Sequence, residues 1–254
     1  ANCKAKGGKI VIVGLYGGAA MNPIRVLTKV LASLHDKNGK VVIPEFYDGV
    51  NPLPSATKKQ WRSLKFSDKK FLGEVGLAAP AGEKGKTVLE HVWARPTAEV
   101  NGIWGGYTGA GTKTVLPSKA HAKLTFRLVG RQDPQKILKA FQKFTKNLIP
   151  KDCKLEFSGR GGGSPASEIS EDNAFIRKTS AALKSEFKRE AVLIGSGGSI
   201  PIVRSFKDIL GMDSVLVGFG LNDDAIHSPN EKYNLSSFHK GIRSWVRIMG
   251  ALAE

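Results

Sequence analysis

His227 is the residue of this chain whose type and setting first suggest metal or proton chemistry. It lies in a polar loop, NDDAIHSPNEKYN (222–234), directly after the apolar segment 214–221. An α/β sheet places its ligand-binding groups at the carboxyl ends of strands, and a neutral imidazole in that position can bind zinc or transfer protons. An ordinary loop histidine is the competing interpretation, and the residue taken alone favours it.

Three carboxylates surround this histidine in the sequence: Asp223, Asp224 and Glu231. Acidic neighbours are compatible with a metal site, but two adjacent aspartates are more often loop and capping residues. The sequence has no paired-histidine H-E-x-x-H spacing, no G-x-S-x-G elbow, no P-loop and no C-x-x-C pair. The pattern around His227 therefore leaves a metal site and a capped loop both open.

Two further segments could bind an anion. The loop GSGGSIP (195–201) offers backbone N–H groups and the hydroxyls of Ser196 and Ser199, which suits a carboxylate if a helix begins there. Arg127 lies inside the alternating segment AHAKLTFRLV (120–129), where its guanidinium could hold a carboxylate through two parallel hydrogen bonds. The alternatives are a glycine turn that serves only the fold and a solvated surface arginine.

The elements that would position these residues follow from hydrophobic periodicity. The first part of the chain reads strand, helix, strands, helix, strand, which predicts a two-layer, ferredoxin-like α+β arrangement. The predicted strands are 9–14, 41–43, 97–103, 113–116, 120–129 and 153–158, and the predicted helices are 23–36 and the segment that Asp133-Pro134 opens. The segment 44–90 reads as an irregular surface insertion with one helix near Ser67–Leu72.

A glycine-rich linker at 159–170 separates these elements from a second set. Helices are predicted at 173–187, at 202–209 and at the end of the chain, and strands at 192–194 and 214–221. Strands that alternate with helices favour part of an α/β layer. The final helix is expected to turn its large apolar residues inward: Leu235, Phe238, Ile242, Trp245, Val246 and Met249.

Composition places the chain among globular proteins. It has 254 residues, 41% of them hydrophobic, no apolar run of membrane-spanning length and no signal-peptide pattern. Two cysteines far apart in sequence favour a reducing, cytoplasmic setting. The net charge of +17 raises the possibility of nucleic-acid binding. Because the lysines are spread along the chain and no basic helix is apparent, a solvated basic surface is the favoured interpretation.

Taken together, the motifs resemble those of the zinc-dependent exopeptidase and deacylase family that contains carnosinase, aminoacylase, acetylornithine deacetylase and glutamate carboxypeptidase. The matching segments occur in the family's order: LYGGAAMNP (15–23), VIPEFYD (42–48), GGYTGAGTKTVLPSKAHAKLTFRLV (105–129), QDP (132–134), GSGGSIP (195–201) and HSPNEKYNL (227–235). The segments VIPEFYD and GTKTVLP are most similar to the carnosinase-like dipeptidase branch.

The resemblance implies a ferredoxin-like lid, which also forms a homodimer, followed by the C-terminal part of an α/β catalytic domain. The lid would be residues 1–162, with the insertion 44–90, and the catalytic part residues 163–254. By motif position, His227 would be the last ligand of a site for two zinc ions, and Gly198 and Ser199 would hold the carboxylate of a peptide or N-acyl amino acid. Thr114 and Arg127 would reach substrate in the neighbouring subunit.

The family mechanism places a hydroxide between two metal ions, with a glutamate as general base. The family's upstream metal ligands and its base have no counterpart in this sequence, which reads as lacking the N-terminal half of the catalytic domain. Segment 1–13 is atypical, and Ile12 stands where the lid histidine is expected. We therefore expect no retained catalytic residue and no tight zinc binding by this chain alone. A non-catalytic dimerisation or binding protein derived from the family is the alternative.

Overall fold

A four-stranded antiparallel sheet organises the first part of the chain. Its strands are β1 (Asn2–Ala5), β3 (Thr97–Gly105), β5 (Lys119–Arg127) and β6 (Cys153–Glu156), and their order across the sheet is β3-β5-β1-β6. Helix α2 (Pro23–Ala32) connects β1 to β3, and helix α6 (Pro134–Asn147) connects β5 to β6. This order of strands and helices is the ferredoxin-like arrangement, so the predicted fold of this part is confirmed.

The computed structural model describes residues 1–159, 163–197, 200 and 202–253. These residues form two compact units. The first unit contains Ala1–Pro54, Lys65–Ala166 and Gly195–Ser199, and the second contains Ser55–Leu64, Ser167–Ile194 and Ile200–Glu254. The domain division at residue 162 stays a prediction.

Helices α2 and α6 cover the same face of the sheet. Val26 and Leu27 of α2 pack on Ala120 and Ala122 of β5. Ile137 and Phe141 of α6 pack in a second cluster with Ala98 of β3, Phe46 and the partly buried Phe126. Ala98 lies opposite Phe126 in the register, and alternation along β5 places Phe126 on the face of Ala120. The other face of the sheet carries no helix among the described residues.

The two helices begin where the sequence predicted. The side chain of Asn22 accepts a hydrogen bond from the backbone N–H of Ile24, and Pro23 occupies the first turn of α2. Asp133 accepts from the N–H groups of Gln135 and Lys136, and Pro134 follows it. A capping side chain followed by proline satisfies a free N–H group and pre-sets the helical φ.

A short buried strand is predicted at 9–14, and this prediction is wrong in extent and in burial. Only β2 (Val11–Ile12) is a strand; it pairs with β4 (Val115–Leu116), and the Ile12 side chain is 55% exposed. A short helix, α1 (Val13–Tyr16), follows directly. The strand that enters the sheet is β1, where Cys3 is fully buried. This strand has no apolar run, so only its pairing partners identify it. Segment 41–43 forms a single bridge, between His35 and Val41.

The insertion 44–90 contains more helix than expected. The helix predicted near Ser67–Leu72 is confirmed as α4 (Asp68–Gly73), and the structure adds α3 (Ser55–Ser63) and α5 (Val88–Trp93). Thr87 and Glu90 form a capping box at the start of α5, and this T-x-x-E spacing was a readable signal for that helix.

A partly buried ion pair ties the end of this insertion to the core of the first unit. Arg95 donates from Nε and Nη2 to the two carboxylate oxygens of Glu83, at 3.0 and 2.8 Å. The Tyr47 hydroxyl donates to the same carboxylate at 3.0 Å and accepts from the N–H of Val41. Such a fork is directional and rigid, so it fixes the path of the chain beside the sheet.

The second unit is built around α7 (Ala174–Phe187) and α9 (Leu235–Ala253), with α8 (Ile202–Leu210) between them in sequence. Glu186 of α7 accepts hydrogen bonds from Arg243 and Arg247 of α9. No helix in the described residues has the length and apolar character needed to span a membrane.

The inward face predicted for α9 is wrong. All six large apolar residues named for it are exposed, with Leu235 at 74%, and the buried positions are Gly241, Ser244 and Ile248. At Gly241 an added Cβ would lie 3.2 Å from the ring of Phe219. The helix therefore turns its small residues toward its neighbours, because they allow a close approach that larger side chains would block.

The strands predicted at 192–194 and 214–221 are also wrong, since neither segment pairs with a strand in the described part of the chain. Side chains of α3 take the place of a partner strand for the first segment. Gln60 accepts from the N–H of Leu193 and donates to the carbonyl of Ala191, and Trp61 Nε1 donates to the carbonyl of Leu193 at 2.9 Å. These bonds satisfy backbone groups that a strand ladder would otherwise use.

Candidate functional site

Arg127 ends β5 on the face of the sheet that the helices leave open. Residues 120, 122, 124 and 126 point toward α2 and α6, so alternation places Arg127 on the opposite face. The side chain is exposed, lies opposite Thr97 of β3, and forms no ion pair with the described residues. An accessible guanidinium with its donors available can bind a carboxylate bidentately.

Thr114 lies immediately before β4, on the smaller two-stranded sheet of the same unit. Its carbonyl accepts from the N–H of Val13 at 3.0 Å, which holds its backbone beside β2, and its side chain is exposed. Thr114 and Arg127 thus lie on different sheets, and among the described residues no hydrogen bond joins them. The structure does not bring the two together within the first unit.

An aromatic platform on the open face was not found from the sequence. The rings of Trp104 and His121 stack with an interplanar angle of 11° and centroids 5.1 Å apart. His121 Nδ1 is 2.8 Å from the side-chain oxygen of Asn2, which orients the imidazole. The two rings lie opposite each other on β3 and β5, so their pairing depends on the register of two strands. Only correct pairing of the two alternating segments could have revealed it.

His227 is exposed in the second unit and adopts a left-handed backbone conformation, with φ of 62°. Its N–H donates to Glu231 at 3.3 Å, which closes a tight turn. Left-handed φ is uncommon outside glycine and is held here by the surrounding loop. The result is an imidazole presented outward from a fixed turn.

Asp224 is the residue that holds this loop. Its carboxylate is 2% exposed and accepts from the N–H of Leu221 at 2.7 Å, from Lys232 Nζ at 3.2 Å and from Asn234 at 3.3 Å. Asp223 is paired with Lys232 at 2.9 Å. A buried carboxylate with three donors is a structural anchor, so the capped-loop interpretation of Asp224 describes what the structure shows.

The carboxylates near His227 do not complete a metal site. In the part of the chain that the structure describes, no three His, Cys, Asp or Glu side chains come together in a way that could hold a metal ion. A zinc ion takes about four ligands, and Asp224 is already occupied by backbone and lysine donors. The described residues therefore do not fit a zinc ion by themselves.

Gly198 and Ser199, the residues predicted to hold a substrate carboxylate, lie outside the described residues. The loop that leads to them is constrained at Gly195. A Cβ at that position would lie 1.9 Å from the carbonyl oxygen of Trp93, so the backbones of the two residues approach too closely for any other side chain.

Comparison with known proteins matches more than half of the chain to a family model. Residues 8–153 match the peptidase dimerisation domain. The Cys-Gly metallodipeptidase DUG1 of Saccharomyces cerevisiae is 30% identical over 246 residues, which cover 95% of this chain and 50% of the relative. The human Beta-Ala-His dipeptidase is 26% identical and is matched over 95% of this chain and 48% of its own length.

Solved structures show the same relation. A metallo-carboxypeptidase of the M20 family from Sulfolobus solfataricus, Sso-CP2, superposes with a TM-score of 0.81 at 25% identity, over 98% of this chain and 56% of its own. Human carnosine dipeptidase 1 superposes with a TM-score of 0.77 at 25% identity, over 99% of this chain and 54% of its own. The chain thus spans about half the length of the relatives it matches.

Proposed function

This chain belongs to the M20 peptidase dimerisation domain family, and we propose that it supplies the dimerisation lid and the C-terminal catalytic segment of a dipeptidase-like metallohydrolase. The family match over residues 8–153 is the observation that carries the proposal. It is supported by relatives whose names are metallodipeptidase and dipeptidase. In this proposal residues 1–162 form the lid of a homodimer, and residues 163–254 belong to the catalytic domain.

Arg127 and Thr114 are proposed to bind substrate in the site of the neighbouring subunit. The support for Arg127 is its exposed guanidinium, which has no acidic partner among the described residues. A peptide or an N-acyl amino acid ends in a carboxylate, which that guanidinium can bind through two parallel hydrogen bonds. Gly198 and Ser199 are proposed to bind the same carboxylate through the loop 195–201.

Zinc enters the proposal only through His227. In a complete site of this family the ion supplies Lewis-acid chemistry, and His227 is proposed as one of its ligands. The described residues offer no set of three ligands. We therefore expect this chain alone neither to retain zinc through dialysis nor to hydrolyse a dipeptide. Metal analysis together with assays on Cys-Gly and β-Ala-His would check this, and stoichiometric zinc with turnover would overturn it.

The role of Arg127 is tested in a chimera in which this chain replaces the matching half of the S. cerevisiae relative. The loss of even one charge-assisted hydrogen bond costs about 1.5–3 kcal/mol, so Arg127→Ala should lower kcat/KM for Cys-Gly by at least about 10- to 100-fold. Lys69→Ala, at an exposed lysine of the same unit, is the matched control. Equal activities of the two folded variants would contradict the proposed role.

A non-catalytic dimerisation protein is the second candidate function, favoured by the incomplete ligand set among the described residues. Sedimentation velocity tests the dimer that both candidate functions require, and turnover by the chimera distinguishes between them. A dimer at micromolar concentration is expected in both cases, and a monomer would contradict both. A dimeric chimera that binds zinc but lacks turnover would favour the second candidate. The cytoplasmic location expected from the two free cysteines stays a prediction.

A further inference from the structure

The positive charge of this protein is concentrated in its first unit. The residues of that unit include 25 Lys and Arg and 11 Asp and Glu, for a net charge of +14. The second unit has 14 basic and 11 acidic residues, for a net charge of +3. Most of the net charge of +17 therefore belongs to the domain that contains the four-stranded sheet.

Within that unit, the two helices that cover the sheet contain no acidic residue. Helix α2 reads PIRVLTKVLA and α6 reads PQKILKAFQKFTKN. Six basic side chains of these helices are exposed and form no ion pair with the described residues. We name these residues the basic face: Arg25, Lys29, Lys136, Lys139, Lys143 and Lys146.

The four lysines of α6 form one stripe. Their spacing of three, four and three residues repeats the helical period, so they lie on one side of the helix. That side is opposite the buried Ile137 and Phe141. At 1.5 Å per residue, the stripe from Lys136 to Lys146 is about 15 Å long. The lysines are spread along the sequence, and they align on one side because residues 134–147 form a single helix.

Arg25 and Lys29 extend this stripe to the neighbouring helix. They are four residues apart and therefore adjacent on the surface of α2. Because α2 and α6 cover the same face of the sheet, the six side chains all belong to the helix-covered side of the unit. A positive surface to which two neighbouring helices contribute six basic and no acidic side chains is the electrostatic signature of polyanion binding.

We propose that the basic face binds the phosphate backbone of nucleic acid without sequence preference. Double-stranded DNA carries about one negative charge per 1.7 Å of its axis when both strands are counted, so a length of about 15 Å contains about nine phosphates, a number sufficient to pair with the α6 lysines that face them. Lysine ammonium groups on flexible stems act as point charges that fit such a backbone. Contacts from lysine to phosphate oxygens position a protein on the duplex but carry no sequence information.

The structure favours nucleic acid over an anionic membrane. A helix that lies on a membrane surface inserts exposed large apolar residues beside its lysines. In α6 the apolar side chains Ile137 and Phe141 are buried against the sheet, and the side that carries the lysines has none. This face lies opposite the open face of the sheet, where Arg127 is placed, so the inference does not depend on the proposed dipeptidase function.

Fluorescence anisotropy with two labelled 20-base-pair duplexes of unrelated sequence tests the proposal. The dissociation constant of the purified chain is measured between 50 and 200 mM KCl. Each lysine that neutralises a phosphate contributes about 0.9 to the slope of log K against log salt. The double variant K139Q/K143Q should therefore lose about 1.8 from the magnitude of the slope. The matched control K69Q/K70Q removes the same charge from α4, at exposed lysines without ion pairs in the described structure, and should change the slope by less than half as much.

Circular dichroism checks that both variants are folded, which surface Lys→Gln changes should allow. Duplex binding that depends on the α6 lysines and is indifferent to base sequence supports the proposal. Three outcomes overturn it: no duplex binding at 50 mM KCl, equal slope changes in the two double variants, or α6-dependent binding to phosphatidylserine vesicles without duplex binding.

Discussion

Gln132 joins two distant segments of the first unit, and its replacement by alanine is the most direct test of how that unit is held together. Its side chain is 1% exposed. The amide nitrogen donates to the carbonyl of Phe46, and the amide oxygen accepts from the N–H of Val129 at 2.7 Å. The N–H of Arg131 donates to the carbonyl of Gly49 at 2.8 Å beside it. Gln132→Ala removes both side-chain bonds and leaves their backbone partners without replacement.

The expected loss of stability follows from these contacts. Each buried backbone group left unsatisfied costs about 1–3 kcal/mol, and the lost methylene costs about 0.8 kcal/mol more. Alanine has no rotamer freedom to lose on folding, which offsets about 1.5 kcal/mol. The net effect is a destabilisation of about 3 kcal/mol. For a chain of this size it lowers the midpoint of thermal unfolding by about 6–12 °C.

Urea unfolding followed by circular dichroism measures the effect. Gln132→Met keeps the volume but not the hydrogen bonds, so it should cost nearly as much as Gln132→Ala. Gln142→Ala on α6 is the control, because the Gln142 side chain forms no hydrogen bond with the described residues; it should lie within about 0.5 kcal/mol of wild type. The reasoning is refuted if Gln132→Ala costs less than about 1 kcal/mol, or if Gln132→Met is tolerated.

Two further predictions concern a tyrosine and the His227 loop. Burial raises the pKa of Tyr47 to about 12, and the neighbouring Glu83 carboxylate adds to the shift. Because the folded protein holds this proton more tightly than the unfolded chain, its contribution to the free energy of unfolding is present below about pH 10 and is lost as the pH rises toward 12. The difference in absorbance at 295 nm between the wild type and Tyr47→Phe, followed as a function of pH, should have its midpoint near pH 12. Asp224→Ala should destabilise the second unit by about 2–3 kcal/mol and speed amide hydrogen exchange around His227, and unchanged exchange there would contradict the anchoring role of Asp224.

Helices α2 and α6 could be predicted because their signals are local. Asn22-Pro23 and Asp133-Pro134 mark helix starts whose capping bonds form within one turn. The apolar positions of α2 and α6 recur at the helical period and also face the core. In these segments the local helix preference and burial against the core favour the same structure, so the local sequence is sufficient to predict it.

Strands were less predictable, because a strand is defined by the chain beside it. The segment 214–221 is apolar and remains unpaired in the described structure, whereas the short and partly charged β1 is paired on both sides. Helix α9 shows the same limit for faces. The sequence shows the helical period of α9, but residues elsewhere in the chain determine that the side with Gly241 and Ser244 is the buried one.

The candidate site, like the fold, has some features that the sequence determines and others that only the tertiary structure determines. The sequence by itself determined the family, the ferredoxin-like order of the first unit and the identity of Thr114, Arg127 and His227 as candidates, because motifs and their order are linear properties. Only the tertiary structure placed Arg127 on the open face, made Asp224 a loop anchor and aligned the α6 lysines. Those outcomes depend on strand register, burial and helix bounds, which are set by contacts between residues far apart in the chain.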